Sequence, residues 1–147
     1  MKKLLLTLGL VSLMGFGLKA QLQVGDQAPN FTVTDINNQT HTLYDYLDQG
    51  YMVFIDISAT WCGPCWSFSS SGIMKEVYEK YGPTGTVTPK KIMVLFVEGD
   101  ASTTLADLQG TGTSTQGDWV TGKPYPIIDD ASLNADYLYG GFPSFTI

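Results

Sequence analysis

Residues 51–72 read "YMVFIDISATWCGPCWSFSSSG". The first seven residues are almost continuously apolar and β-favouring, the pattern of a central strand of a parallel sheet covered on both faces. Ser58-Ala59-Thr60 then reads as a turn, and a helix is expected to begin near Cys62. Pro64 falls in its first turn, where a missing N–H costs nothing and a fixed φ suits the helix. Cys62 and Cys65 are the only cysteines of the chain. Strand, turn and helix therefore bring both thiols to one place, at the amino end of a helix.

That position has a chemical consequence. The first-turn amides of a helix lack internal partners and carry the positive end of its dipole. A thiolate on Cys62 can accept from them, so its pKa is expected to fall below about 8.5, into the roughly 3.5–7.5 range of such motifs. Cys65 lies on the same helical face one turn deeper, close enough to bond to Cys62 and better shielded. The pattern suits a Cys62–Cys65 disulfide in which Cys62 attacks a substrate disulfide and Cys65 resolves the mixed disulfide. A zinc site needs four ligands, and beyond the thiols only His41 offers itself, so no metal is expected. A purely structural bridge across so short a loop would stabilise the fold little.

Asp56 is the sole charge within "YMVFIDI". An isolated carboxylate in a strand buried on both sides should have a raised pKa. Six residues before Cys62, it is a candidate to accept and return a proton, through water, as Cys65 changes state.

Outward from this stretch, "VGDQAPNFTVTDINNQTHTL" alternates around Ile36-Asn37-Asn38-Gln39, predicting a hairpin of 31–34 with 40–43. "YDYLDQG" predicts a short helix closed by Gly50. Met74, Val77, Tyr78 and Tyr81 predict a helix with one buried stripe, stopped by Gly82-Pro83. Ser69-Ser70-Ser71-Gly72 before it is poor helix material and predicts a kink. "KIMVLFVEGD" predicts a second buried strand, "STTLADLQG" a short helix capped by Ser102 or Thr103, and "TGTSTQGDWVTGKPYP" a long loop. "ASLNADYLYGG" offers a helical turn or two, and "FPSFTI" opens a strand. Strands alternating with helices argue for one α/β domain over residues 21–147, helices on both faces of a parallel-centred sheet. The chain stops at Ile147 inside a strand, and a C-terminally incomplete domain is expected, since bare edges are seldom left open.

Residues 1–20, "MKKLLLTLGLVSLMGFGLKA", have the form of a secretory signal peptide: a charged start at Lys2 and Lys3, an apolar run from Leu4 to Leu18, and Ala20 at a cleavage site. The apolar run is short for a bilayer span, so no membrane span is expected after cleavage. Export leads to an oxidising compartment, where two cysteines can pair. Beyond Ala20, five lysines face fourteen acidic residues and arginine is absent, a balance of −9. Such a surface repels phosphate backbones and argues against nucleic acid as a partner.

"WCGPC" after an apolar strand resembles the active site of the thioredoxin-like superfamily, and Asp56 matches its buried aspartate by spacing. The opening "GDQAPNFTVTDINNQTHTL" is similar to the hairpin of the redoxin branch, which holds secreted TlpA/ResA-like thiol-disulfide oxidoreductases and the peroxiredoxins. "YPIIDD" followed by "YGGFPSF" resembles the approach to that family's cis-proline loop. The resemblance implies a three-layer α/β/α sandwich with an N-terminal β-hairpin, here lacking the last strand and helix. It implies a substrate groove bordered by Trp61, Gly63, Pro64, Trp66, Phe142 and Pro143, with the 142–143 peptide cis and the 125–126 peptide trans. It further implies an exported bacterial enzyme, periplasmic or extracellular, that needs no cofactor beyond its redox-active disulfide. That enzyme would exchange electrons with protein thiols and disulfides in the reducing direction, recharged by a membrane or periplasmic reductase. Many relatives carry Lys or Arg after the second cysteine; Trp66 stands there instead, as a surface for an apolar partner or as a cover for the serine-rich turn. Tyr137, Tyr139 and Phe142 suit core packing or a groove wall. Two other readings stay open: a non-enzymatic surface module with a static disulfide, and a peroxiredoxin-like peroxidase, which the absence of arginine and the position of Thr60 disfavour.

Overall fold

The structure, a computed structural model, describes residues 22–89, 91–137 and 140–147. The proposed leader, residues 1–20, and Tyr139 lie outside the described residues. The chain opens with a hairpin, β1 (Thr32–Thr34) antiparallel to β2 (Thr40–Thr42). Asp35 builds its turn: one carboxylate oxygen accepts the amides of Asn37 and Gln39, and Asn38 takes the left-handed conformation at φ 62°. The other oxygen meets buried His41, whose second ring nitrogen lies 2.6 Å from the Tyr46 hydroxyl. The one histidine of the chain is thus held within the hairpin, and these contacts keep the Asp35 pKa below its ordinary value although burial alone would raise it.

After helix α1 (Leu43–Asp48) the chain turns at Gly50, φ 77°, into β3 (Met52–Ser58). Helices α2 (Gly63–Ser70) and α3 (Ile73–Tyr81) lead to β4 (Ile92–Glu98); α4 (Leu105–Leu108), a long loop, β5 (Ile127–Asp129), α5 (Ser132–Tyr137) and β6 (Ser144–Thr146) follow. The main sheet runs in the order β5-β4-β3-β6. β3, β4 and β5 are mutually parallel, as a central apolar run requires, and β6 runs antiparallel to β3. Ile36 N–H donates to Ile127 O, tying the hairpin to β5.

Because side chains alternate across a strand, the sheet divides the core in two. Val53, Ile55 and Ile57 join Met93, Leu95 and Val97 against the hairpin, α1 and α5. Phe54, Val94, Phe96 and Ile127 pack with Cys62, Cys65, Met74 and Trp119 under α2 and α3. The fold is the expected α/β sandwich. Each fully buried aliphatic side chain contributes about 1.5–3 kcal/mol through its removal from water, so these two layers supply the main drive for folding.

The break after α2 has a local cause. The Ser71 hydroxyl donates to Phe68 O, competing with helix continuation, and Gly72 adopts φ 80°, a conformation that favours glycine. Two expectations are corrected. The stripe on α3 ends early: Met74 is buried and Val77 and Tyr78 half-buried, but Tyr81 in the last turn is exposed. Neither Ser102 nor Thr103 caps α4; Thr104 does, in a capping box with Asp107, while Ser102 and Thr103 donate to Asp100.

Candidate active site at the mouth of helix α2

Cys62 is the N-cap of α2, with extended backbone angles, and Pro64 stands in the first turn. The two sulfurs form a disulfide with Cα atoms 5.2 Å apart. Cys62 Sγ also accepts the Cys65 N–H at 3.2 Å, the contact expected of a helix-capping sulfur. Cys65 is completely buried, and the small surface the pair presents belongs to Cys62, 4 % exposed. Gly63 is half-buried and Pro64 exposed beside it.

Trp61, next to Cys62 in the chain, is 46 % exposed. Its indole N–H donates to Asp100 at 2.7 Å, and its ring meets Phe142 edge-on at 6.1 Å. Among the described residues the cis peptides are Phe142–Pro143 and Thr88–Pro89; the second had no signal in the sequence, and Tyr125–Pro126 is not among them. Phe142 packs against both the cluster that holds the cysteines and the one behind the sheet. Gly99 makes that possible, because a Cβ there would lie 2.7 Å from Ile57 Cγ2 and 2.8 Å from the Phe142 ring. Gly99→Ala is therefore expected to lower stability by about 1–3 kcal/mol through overpacking and to slow turnover by displacing Phe142; urea unfolding and a disulfide-reduction assay read the two effects.

Asp56 lies on the same face of β3 as Phe54, beneath α2, and is wholly buried. One carboxylate oxygen accepts the Ser58 hydroxyl at 2.6 Å, and the other has no partner. Burial pushes its pKa up to about 7, against a smaller lowering by Ser58. Neither oxygen bonds directly to a sulfur.

The long loop contributes what the sequence did not announce. Thr60 donates its hydroxyl to Ser114 O, and its carbonyl accepts the Gln116 amide; the Gln116 side chain donates to Trp61 O. Trp66 is half-buried, its ring T-shaped to Trp119 at 4.9 Å and pressed on Gly117, where a Cβ would come within 2.7 Å. It lies on this loop and not on the serine-rich turn. Tyr137 is buried, with its hydroxyl donating to Pro29 O, so it belongs to the core. A second buried acid, Glu98, ends β4 beside Ser58 and accepts the Thr60 N–H at 2.7 Å. The signal for it was legible: Glu98 is the sole charge closing a buried apolar run, as Asp56 is in β3. Among the described residues no group of three or more His, Cys, Asp or Glu is placed to hold a metal ion. Nor is any helix there long and apolar enough to cross a membrane.

This arrangement, a thioredoxin-like sheet with a Cys62–Cys65 disulfide at a helix mouth, agrees with known proteins. The AhpC/TSA family model matches residues 24–142, and the chain belongs to that family. The thiol-disulfide oxidoreductase ResA of Bacillus thuringiensis (strain Al Hakam) is 39% identical over 70 residues, 48% of this chain and 38% of that protein. The match thus spans well under half the length of that curated relative. The thioredoxin domain of a thiol-disulfide oxidoreductase from Bacteroides vulgatus superposes with a TM-score of 0.56 at 16% identity, covering 85% of this chain and 80% of that one. A chain described as thiol:disulfide interchange protein DsbE from Chlorobium tepidum gives 0.56 at 24% identity, covering 82% and 74%. At these identities the structural likeness is one of fold.

Proposed function

We propose that the protein is an exported thiol-disulfide oxidoreductase that passes two electrons from its Cys62–Cys65 dithiol to disulfides of other proteins. The observation that carries this reading is the asymmetry of the bridge: Cys62 is the N-cap of α2 and keeps a small exposed surface, while Cys65, inside the first turn, is completely buried.

In the reduced protein the Cys62 thiolate attacks one sulfur of a substrate disulfide. A mixed disulfide forms, and the first substrate sulfur leaves as thiolate and takes up a proton. Cys65 then loses its proton and attacks Cys62 Sγ, releasing the second substrate thiol and closing the disulfide seen here. The substrate gains two electrons and two protons, and the protein is oxidised by the same amount. Asp56 is the acceptor for the Cys65 proton, reached through water, because a carboxyl titrating near 7 exchanges protons readily at neutral pH. Trp61 and Phe142 wall the approach, and the backbone before Pro143 offers an edge for an extended substrate segment. The apolar start of the chain and the oxidising chemistry it leads to support export to the periplasm or cell exterior, with a membrane or periplasmic dithiol donor to recharge the site.

Insulin-disulfide reduction with a dithiol donor tests the reading. Turnover dependent on Cys62 is expected. Inertness toward insulin with slow, free-thiol-like alkylation of both reduced cysteines would leave a static bridge, and peroxide consumption instead would turn the assignment to a peroxidase.

A further inference from the structure

We propose that Glu98 is the positioning residue of the dithiol turn: its carboxylate ties the backbone that carries Cys62 to the loop that anchors Trp61. The inference rests on the oxidoreductase reading above and assigns that site a component beyond its thiols and Asp56.

Glu98 Oε2 accepts the Thr60 N–H at 2.7 Å, and Glu98 Oε1 accepts the Asp100 N–H at 2.9 Å. Thr60 lies two residues before Cys62. Asp100 holds the Trp61 indole through its side chain at 2.7 Å. One carboxylate therefore fixes both the chain leading into the N-cap and the partner of the tryptophan that precedes it. Glu98 and Thr60 are both fully buried, so water cannot substitute for the bond between them, and the bond to Asp100 is partly buried. The side chain stands on the α2 face of β4, following Val94 and Phe96, where an apolar residue would suit the surroundings better. Opposite it in register is Ser58, whose small side chain donates to Asp56. The two acids thus divide the space under the helix mouth: Asp56 has a free oxygen, whereas both oxygens of Glu98 hold amides.

A carboxylate is needed because two donors converge on it. An amide at the same place can accept one N–H but turns its own NH2 toward the other. Glu98→Gln therefore cuts one arm of the tie while preserving shape. For this variant, kcat for insulin reduction is expected to fall about 10-fold or more with KM within about 2-fold, and alkylation of reduced Cys62 to slow by a similar factor. Glu98→Asp, one carbon shorter, should recover part of the loss. Wild-type kcat and Cys62 alkylation in a folded Glu98→Gln protein would overturn the positioning role while leaving the oxidoreductase reading intact. Failure of that reading shows separately, as wild-type protein inert toward insulin. Should Glu98→Gln not fold, amide exchange in the wild type decides the matter. Thr60 and Asp100 N–H should be protected by about 100-fold or more in both oxidised and reduced protein, and fast exchange of either in the reduced protein sinks the proposal.

Discussion

Cys62→Ser is expected to reduce insulin-disulfide turnover by on the order of 10³-fold or more, because an alcohol at the helix mouth offers no accessible nucleophile at neutral pH. Cys65→Ser should be equally inactive in turnover but for a different reason. Its Cys62 still attacks, and the covalent complex with substrate then persists, since the sulfur that would displace it is gone. Non-reducing gels of the two variants incubated with a disulfide-bearing protein separate these outcomes: an adduct for Cys65→Ser, none for Cys62→Ser. The position of the pair sets the assignment, with Cys62 at the N-cap and slightly exposed and Cys65 closed off completely within α2. An adduct formed by Cys62→Ser in place of Cys65→Ser would reverse the roles and remove the mechanism proposed for the site.

Asp56→Asn is expected to stabilise the oxidised protein and slow its redox cycle. Burial holds the Asp56 proton until a pH of about 7, whereas an unfolded aspartate loses it near 3.8. Between those values the folded protein keeps a proton that the unfolded chain has shed. The stability that Asp56 contributes is therefore full below about pH 4, falls as pH rises, and levels off above 7, lower by roughly 4 kcal/mol at 1.36 kcal/mol per unit. Asparagine removes that slope. Above pH 7 it should gain about 2 kcal/mol, less than the full amount because its NH2 occupies the place of the unpartnered oxygen. Urea unfolding of both proteins from pH 4 to 8 reads the effect, and a stability difference between wild type and Asp56→Asn that stays constant over that window would contradict it. In stopped-flow reduction of a protein disulfide, the closing step should slow by about 10²-fold as the proton acceptor is lost. A variant more stable yet as fast as wild type would leave Asp56 with no part in proton transfer.

Much of this molecule could be read from residue pattern. The apolar, β-favouring runs at 51–57 and 92–97 read as covered strands, and they became β3 and β4. Cys62, Pro64 and the serine-glycine break placed the helix mouth and its end, because capping and helix breaking act within a turn of the chain. The misreadings are local as well. The cap of α4 moved to Thr104 because Asp107 completes a box with it, and Tyr81, in the last turn of α3, stands exposed outside the core. The long loop is of another kind. Its threonines and glycines have no periodicity, so nothing in the string announced that Ser114 and Gln116 would bind the dithiol turn, or that Trp66 would lean on Gly117.

Sequence alone determined that two thiols cap a helix behind a buried strand with one acid in it, since those relations span few residues and follow from backbone geometry and burial. Tertiary structure alone decided that Phe142 reaches Trp61 over Gly99 and that Glu98 grips Thr60 from 38 positions away. Those contacts join segments remote along the chain, and only the packing of β4 and the loops against β3 brings them within bonding distance.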